Sequence, residues 1–351
     1  MELDTISTSA EPSCAVLFAS QVFSLSSPTA SLPASVSSLW KDWPVTPLIS
    51  ILIPTFERPD YVRRSLEQIA RQRFERFEVI VTDDSTTDAV ENFIRTQSFS
   101  YPFQYRRNRP ALGTPRNWTA GLDLASGEWI KILHDDDWLA GPDSLLHYAQ
   151  AIRPDIDLIF GGYEAVYEET GKTENRTISL SQFNRLVRSP NRLFAGNLLG
   201  PPSVLMYRRT LKESFDPNLK WIVDWEGYIR MLQTHRAVYV DRVLVCMSYN
   251  PTQVTRICFG NPEIEIPEVL AYYQKQGDRT RSTWITYDAW WRMIRNLSIR
   301  SAADLDRYAR GAAVPPFLYR LIRHQRWLPL RLLKWGPISK VGMLLSFILN
   351  R

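Results

Sequence analysis

Three consecutive carboxylates, Asp135, Asp136 and Asp137, are the side chains with the clearest chemical potential in this sequence. Adjacent carboxylates repel one another unless a cation or solvent balances their charge. Mg²⁺ or Mn²⁺ would balance it, because hard divalent ions bind carboxylate oxygens and accept substrate phosphates as further ligands. The triplet therefore predicts a divalent metal site that faces a diphosphate. The alternative is a solvated acidic turn in which Trp138 only packs.

The triplet follows an apolar run, residues 129–133, that predicts a buried strand. Two earlier apolar runs, residues 48–54 and 77–82, also end in polar loops. Predicted helices over residues 60–71 and 89–96 separate these strands, and such alternation is typical of an open parallel sheet. Ligands of these sheets lie at the carboxyl ends of the strands, so the three polar loops are expected to share one site.

The rest of the chain predicts further strands and then a helical end. Strands are predicted at residues 103–105 and 204–207, a further element at residues 158–162, and helices at residues 115–125, 225–234 and 283–299. We expect three segments. They are a poorly ordered Ser/Ala/Pro-rich leader over residues 1–47, an α/β nucleotide-binding domain over residues 48–255 with an open, mainly parallel sheet flanked by helices, and a helical, basic region over residues 256–351.

Several motifs in a fixed order carry a family resemblance. They are ILIPTFERP at residues 51–59, EVIVTDDS at 78–85, Asn108 with residues 113–117, and ASGEWI at 125–130 before the acidic triplet. Together they closely resemble family 2 glycosyltransferases of the GT-A fold, from about residue 48 to residue 255. The resemblance implies inverting transfer of a hexose-type sugar from a nucleotide-diphosphate sugar to an acceptor hydroxyl, with Mg²⁺ or Mn²⁺, in the synthesis of a surface polysaccharide or another glycan.

The resemblance also implies which residues face the donor. Asp84 would contact the base or ribose, and Asp135 the ribose or sugar. Helix capping is the alternative for Asp83 and Asp84, and the role of Asp83 stays open. The residues implied in nucleotide-sugar binding are Pro54, Thr55, Glu57, Arg58, Asp84, Gly113, Arg116, Asn117 and Asp135.

For the metal, the resemblance implies Asp136 as the direct ligand, with Asp137 beside it. His134 stands where the family often has the first acid of its DxD signature. The four histidines of the chain are too scattered to predict a metal cluster.

On the acceptor side, residues 196–203 and 221–226 resemble the acceptor loop and the catalytic-base segment of the family. The residues implied in acceptor contact are Pro202, Ser203 and Trp225, and Trp221 is also placed to stack on a sugar. Asp224 matches the base that takes the proton of the acceptor hydroxyl, and Glu226 is the second candidate. The alternative for Asp224 is an acid that the dipole favours at the start of a helix.

Two departures from the family pattern keep other functions open. Val223 replaces the usual Glu before the base, and Asn250 replaces a His that can touch the metal or diphosphate; Asn is a weaker ligand than imidazole. Arg256 is expected to take part of the phosphate contact. A non-catalytic sugar-nucleotide or glycan-binding module is therefore one alternative. A sugar nucleotidyltransferase is another, although residues 55–58 lack the basic, Gly-rich triphosphate loop that it needs.

The charge distribution and the cysteine content indicate where in the cell the protein is expected to lie. The chain has a formal net charge of +5, and its C-terminal cations alternate with Leu and Trp, which favours a membrane surface over nucleic acid as partner. An amphipathic helix that covers the core is the alternative. The three cysteines are widely spaced, which argues against disulfides or zinc and favours the cytoplasm. We expect a cytoplasmic enzyme, peripheral on the inner membrane face, that uses a glycan or lipid-linked acceptor.

Overall fold

The computed structural model describes residues 46–211, 215–250 and 253–350, without the side chains of residues 254 and 256. The predicted leader, residues 1–47, therefore lies almost entirely outside the described residues. Within the described ranges, no helix combines the length and the apolar character needed to cross a bilayer.

The first half of the sheet is parallel, as the strand and helix pattern predicts. Its strands are β1 (Ile49–Thr55), β2 (Phe77–Asp83), β3 (Phe103–Arg107) and β4 (Trp129–Ile132), in the order β3-β2-β1-β4. Helices α1 (Pro59–Ala70) and α2 (Ala89–Arg95) connect the first three strands. All residues of β1, β2 and β4 are buried, which explains their continuous apolar runs.

The predicted helix over residues 115–125 is much shorter in the structure, where α3 spans only Arg116–Thr119. The chain then continues in turns closed by bonds three residues apart, such as Leu124 N to Gly121 O. Gly121 also lies against β1 and β2, since a Cβ there would come within 3.0 Å of Ile80. This close approach favours a tight turn over another helical turn.

The second half of the sheet is mainly antiparallel. Its strands are β5 (Trp138–Leu139), β6 (Leu158–Tyr167), β7 (Lys172–Arg176), β8 (Leu205–Arg208) and β9 (Ala237–Tyr249), and its helices are α4 (Ser144–Gln150), α5 (Leu180–Arg188) and α6 (Val223–Thr234). β8 joins the halves, because it pairs antiparallel with both β4 and β6. β6 and β9 pair in parallel, and β5 closes the far edge against β9.

After β9 the chain is helical. The helices are α7 (Val254–Cys258), α8 (Pro262–Gln276), α9 (Trp284–Asn296), α10 (Ala302–Ala309), α11 (Pro316–Arg326), α12 (Leu330–Leu333) and α13 (Gly336–Leu349). Phe194, from the second half of the sheet domain, contacts Tyr272 of α8 and Trp290 of α9 at ring-centroid distances of 5.3 and 4.9 Å. The C-terminal helices thus share a hydrophobic core with the domain that precedes them.

A buried carboxylate fixes where β4 begins. Glu78 of β2 accepts hydrogen bonds from Ser50 Oγ at 2.6 Å, Ser126 N at 2.6 Å and Gly127 N at 3.1 Å. A Cβ on Gly127 would lie 2.7 Å from Ser50 N, so only glycine fits this turn. Because β4 leads directly into the acidic triplet, this clamp also positions Asp135 to Asp137.

Candidate active site

A cleft of about 590 Å³ opens where β1, β2 and β4 end. Its lining includes many of the sequence-predicted residues, namely Pro54, Thr55, Arg58, Asp84, Gly113, Asn117, Asp135, Asp136, Asp137, Pro202 and Asp224. The expected convergence of three polar loops is therefore present in the structure. The lining excludes Glu57, Arg116, Ser203, Trp225 and Glu226.

The acidic triplet is buried rather than solvated. Asp135, Asp136 and Asp137 are only 6%, 9% and 2% exposed. Thr55 Oγ1 donates to Asp135 Oδ2 at 2.8 Å, and Arg58 reaches Asp135 Oδ1 at 3.4 Å and Asp136 Oδ2 at 3.1 Å. The end of β1 thus supplies a hydroxyl, and the loop after it a cation, to the acids that follow β4.

Burial shifts the pKa values of Asp135, Asp137 and His134 in the direction that favours the neutral form of each side chain. Burial, and then the neighbouring charge of Asp136, raise the pKa of Asp135 to about 7. Burial also raises the pKa of Asp137 well above its ordinary value, and it lowers the pKa of His134 to about 4. A further cation at this position would favour ionised carboxylates and a neutral imidazole.

The donor atoms of the cluster fit a divalent metal ion. One ligand atom each from His134, Asp136 and Asp137 lie within 4.8 Å of one another. The Nε2 atom of His134 is buried and has no hydrogen-bond partner among the described residues. The two carboxylates suit Mg²⁺ or Mn²⁺, and the neutral imidazole offers a nitrogen ligand beside them. Sequence reasoning set the histidines aside as scattered, although the adjacency of His134 to the triplet was the available signal.

Neighbouring side chains hold the cluster in place. Ser203 Oγ donates to Asp137 Oδ2 at 2.5 Å, so this predicted acceptor residue lies behind the acids instead of in the cleft lining. Asn250 Nδ2 donates to Asp136 Oδ2 at 3.2 Å. Asn250 therefore reaches the acidic cluster from the place that the family gives to a His. Pro251, Thr252 and the side chain of Arg256 lie outside the described part of the chain.

Asp84 clamps the loop that forms one edge of the cleft. Its Oδ1 accepts from Asn108 Nδ2 at 2.8 Å and Leu112 N at 3.1 Å, and its Oδ2 accepts from Gly113 N at 2.7 Å. Asn117 lies beneath this loop, where its Nδ2 donates to Thr55 O and its Oδ1 accepts from Asn108. These bonds set the shape of the surface that faces the cleft.

Asp83, whose role the sequence left open, is fully buried and accepts from Tyr105 OH at 2.7 Å and Ser85 N at 2.8 Å. Neither Asp83 nor Asp84 caps α2, which begins without a side-chain cap. The two acids hold loops together instead.

Glu57 and Arg116, two predicted donor-binding residues, do not line the cleft. The Glu57 carboxylate accepts from the backbone and hydroxyl groups of Thr86 and Thr87, and these bonds, led by the Thr86 hydroxyl, lower its pKa to about 2. Arg116 is exposed at the start of α3 and does not line the cleft. Glu57 thus joins the loop after β1 to the loop after β2.

Asp224 is the carboxylate that α6 contributes to the cleft. Its Oδ2 accepts from Asn197 Nδ2 at 2.7 Å, and its Oδ1 accepts from Trp225 N at 2.7 Å. Burial raises its pKa to about 6. Such a carboxylate can accept a proton near neutral pH, and Trp221 lines the cleft close to it in sequence.

The other two candidates on α6 face the core. Glu226 is 1% exposed, and its Oε1 pairs with Lys275 of α8 at 2.8 Å. Trp225 packs between Phe194 and Tyr272 at centroid distances of 5.5 and 4.9 Å. Some residues that line the cleft received no individual role from the sequence, and these are Tyr163, Asn197, Lys220, Tyr249 and Gln253.

Comparison with known proteins adds a family and a fold. Residues 50–215 match the model of Glycosyl transferase family 2. The chain is 28% identical over 174 residues to the putative glycosyltransferase EpsH of Bacillus subtilis strain 168, which covers 48% of this chain and 49% of EpsH. The matched segment thus spans about half the length of that relative.

Two solved structures resemble the molecule as a whole. S. aureus TarS 1-349 in complex with UDP-GlcNAc has a TM-score of 0.50 at 16% identity, over 86% of this chain and 92% of that one. Mannosyltransferase PcManGT from Pyrobaculum calidifontis, in complex with GDP-Man and Mn²⁺, has a TM-score of 0.52 at 15% identity, over 90% and 92%. These likenesses confirm the predicted GT-A fold, with its sheet flanked by helices and its helical C-terminal region.

Proposed function

Residues 50–215 of this chain belong to glycosyl transferase family 2, and on that premise we propose that the protein is an inverting glycosyltransferase. It moves a hexose-type sugar from a nucleotide-diphosphate sugar to the hydroxyl of a glycan acceptor, in the synthesis of a surface polysaccharide or another glycan. The observation that carries this proposal is the pairing, in one cleft, of a buried acidic cluster with a separate carboxylate of raised pKa.

Asp224 is the proposed base. It takes the proton of the acceptor hydroxyl while the oxygen attacks the anomeric carbon, and the bond from that carbon to the diphosphate breaks on the opposite face. One glycosidic bond forms, the nucleoside diphosphate leaves, and the configuration inverts. Asn197 orients the carboxylate through its hydrogen bond of 2.7 Å to Oδ2.

The acidic cluster is the proposed metal site. Asp136, with Asp137 and His134, would hold Mg²⁺ or Mn²⁺, which would balance the charge that develops on the leaving diphosphate. Ser203 and Asn250 keep Asp137 and Asp136 in position. The Mn²⁺ in the PcManGT complex supports the same metal chemistry here.

The loops after β1, β2 and β3 are the proposed donor surface. The cleft is lined with Asp84 by Pro54 and Thr55 at the end of β1, Arg58 in the loop after it, Gly113 in the loop after β3 and Asn117 of α3. Asp84 supports this surface by holding the amides of Leu112 and Gly113. The nucleotide sugars bound to TarS and PcManGT support a donor of this class.

The proposed acceptor is a glycan, either free or carried on a lipid. Pro202 and Trp221 line the cleft together with Asp224 and provide an apolar surface for a sugar ring. A lipid-linked acceptor would place the enzyme on the cytoplasmic face of a membrane, as the basic C-terminal end of the sequence suggests.

A thermal-shift screen tests donor and metal together. UDP, GDP, dTDP and CMP sugars are added with and without Mn²⁺ to the wild type, to Asp136→Ala and to Asp123→Ala. Asp123 is a surface acid paired with Arg106, so it controls for the loss of a carboxylate. We expect one nucleotide class to raise the midpoint by roughly 5 °C or more at saturating donor, only with Mn²⁺.

The rise should persist in Asp123→Ala and vanish in Asp136→Ala. A rise that is independent of Mn²⁺ and of Asp136 would refute the metal assignment. Donor binding in the wild type without any turnover would instead support a sugar-nucleotide-binding module.

A further inference from the structure

Helix α13 packs on the protein with a face that mixes serines and apolar side chains, and the side that it exposes is mostly apolar. The residues of its inner face are Ser339, Met343 and Ser346, with Asn350 directly after the helix, and all four are buried. The exposed residues include Val341, Leu344, Leu345, Ile348 and Leu349. An amphipathic helix on a core ordinarily turns its large apolar side chains inward, whereas α13 turns these five outward.

Hydrogen bonds fix the helix in this orientation. Ser339 Oγ accepts from Trp291 Nε1 and from an Arg295 guanidinium nitrogen, both at 3.0 Å. Ser346 Oγ contacts Tyr287 OH at 2.6 Å and His324 Nδ1 at 2.8 Å. Rotating the helix to bury its leucines would break these buried polar contacts, so the exposed apolar side is built into the fold.

The exposed side of α13 continues onto the segment before it. Trp327 and Trp335 are more than half exposed, and a groove of about 360 Å³ runs between Trp327 and the α13 residues Val341 and Leu345. We call the exposed residues Trp327, Leu332, Trp335, Val341, Leu344, Leu345, Ile348 and Leu349 the C-terminal patch. Large contiguous apolar surfaces of this kind mark sites of interaction.

Uncompensated positive charge accompanies the patch. Residues 307–351 contain no Asp or Glu. Arg323, Arg326, Arg331 and Lys334 are exposed, and among the described residues they form no ion pair. Two copies facing each other through this patch would bring like charges together, whereas an anionic surface would neutralise them.

We propose that the C-terminal patch docks on an anionic lipid bilayer. The leucine and isoleucine side chains of α13 enter the boundary between headgroups and acyl chains, the two tryptophans lie at the interface, and the arginines contact lipid phosphates. This proposal rests on the proposed function in one respect, namely that docking would bring the cleft to a lipid-linked acceptor. Docking itself requires no turnover.

Vesicle flotation with the full chain tests the proposal. Wild type is mixed with phosphatidylcholine vesicles that contain or lack phosphatidylglycerol, at low and high salt. The variants are Leu345→Glu and the control Leu180→Glu, because Leu345 and Leu180 are equally exposed, at 57% and 56%, and Leu180 lies on α5 outside the patch. Thermal melting of both variants verifies that they fold.

We expect wild type and Leu180→Glu to float with anionic vesicles only, less so at high salt, and Leu345→Glu to bind at least tenfold more weakly. Equal binding of Leu345→Glu and Leu180→Glu, or no flotation of the wild type, overturns the proposal. A wild-type dimer that Leu345→Glu dissociates, without vesicle binding, also overturns it and assigns the patch to a second copy.

Different variants are expected to disrupt membrane docking and donor binding, so the two can be tested separately. Asp136→Ala should lose metal-dependent donor binding and still float with anionic vesicles. Leu345→Glu should bind the donor like wild type in the absence of vesicles. Loss of flotation in Asp136→Ala would contradict docking through the patch.

Discussion

Asp224 and Glu226 both stand in the first turn of α6, yet they meet different surroundings. Asp224 faces the cleft and bonds to the neutral Asn197, whereas Glu226 faces α8 and pairs with Lys275. From the sequence both were candidates for the base, because spacing alone does not show which side of the helix the cleft occupies. The proposed metal contact of His134 was missed in the same way, since it depends on how close the fold brings the imidazole to Asp136 and Asp137.

The pH dependence of turnover tests the role of Asp224. A base must be ionised, and burial raises the pKa of Asp224 to about 6, so the folded protein holds it protonated below that pH. We expect kcat/KM, measured by release of the nucleoside diphosphate, to fall about tenfold per pH unit below pH 6.

Asp224→Asn should lower kcat by 10²-fold or more above pH 6, where the wild-type carboxylate is ionised, and leave donor binding unchanged. The matched variant Glu226→Gln should lower the melting temperature, because it removes the buried charge that faces Lys275 and leaves only Asp216 to pair with it, and it should keep the pH profile. An unchanged profile in Asp224→Asn, or its loss in Glu226→Gln, would transfer the role to Glu226.

At the scale of elements, loops with special backbone geometry shape the cleft. Gly200 has a φ of 106°, which favours glycine, and its carbonyl accepts from Asn197 Nδ2 at 2.8 Å. Asn197 is also the partner of Asp224, so hydrogen bonds join this loop to the proposed base. The sequence indicated a loop here, but it gave no sign that Asn197 bonds to Asp224 or that Asp84 holds the amide of Gly113.

Substituting alanine for Gly200 and, as a control, for Gly196 tests whether the loop requires a glycine at position 200. A Cβ on Gly200 would lie 2.5 Å from the Tyr163 ring, which lines the cleft, whereas a Cβ on Gly196 would meet nothing within 4 Å. We expect Gly200→Ala to lower the free energy of unfolding by about 2 kcal/mol and to raise KM for the acceptor.

Gly196 has an extended backbone, with φ 167°, so Gly196→Ala should stay within about 0.5 kcal/mol of wild type. Chemical denaturation and steady-state kinetics measure both effects. Equal stability of the two variants would show that the geometry of Gly200 is not required.

At the scale of the whole molecule, the sequence predicted the parallel half of the sheet better than the rest. Runs such as residues 48–54 are buried on both faces and therefore read directly as strands. The antiparallel insertion of β8 between β4 and β6 depends on contacts distant in sequence, which local pattern does not specify.

The structure of the C-terminal region was also only partly predictable from the sequence. Its helical and basic character was predictable from composition, but the side that α13 buries was not. Leucines ordinarily face a core, but here Ser339 and Ser346 lie on the inner face beside Met343, where they form buried hydrogen bonds with Trp291 and His324. The division of the chain at residue 255 stays a prediction.

The configuration of the released sugar tests the central claim most directly. An α-linked nucleotide sugar of the class that the screen identifies is incubated with Mn²⁺, water serves as acceptor, and proton NMR follows the first product before it mutarotates. We predict the β anomer first from wild type, and no release above background from Asp224→Asn or Asp136→Ala. Release of the α anomer first, or undiminished release from either variant, would contradict inverting transfer in this cleft.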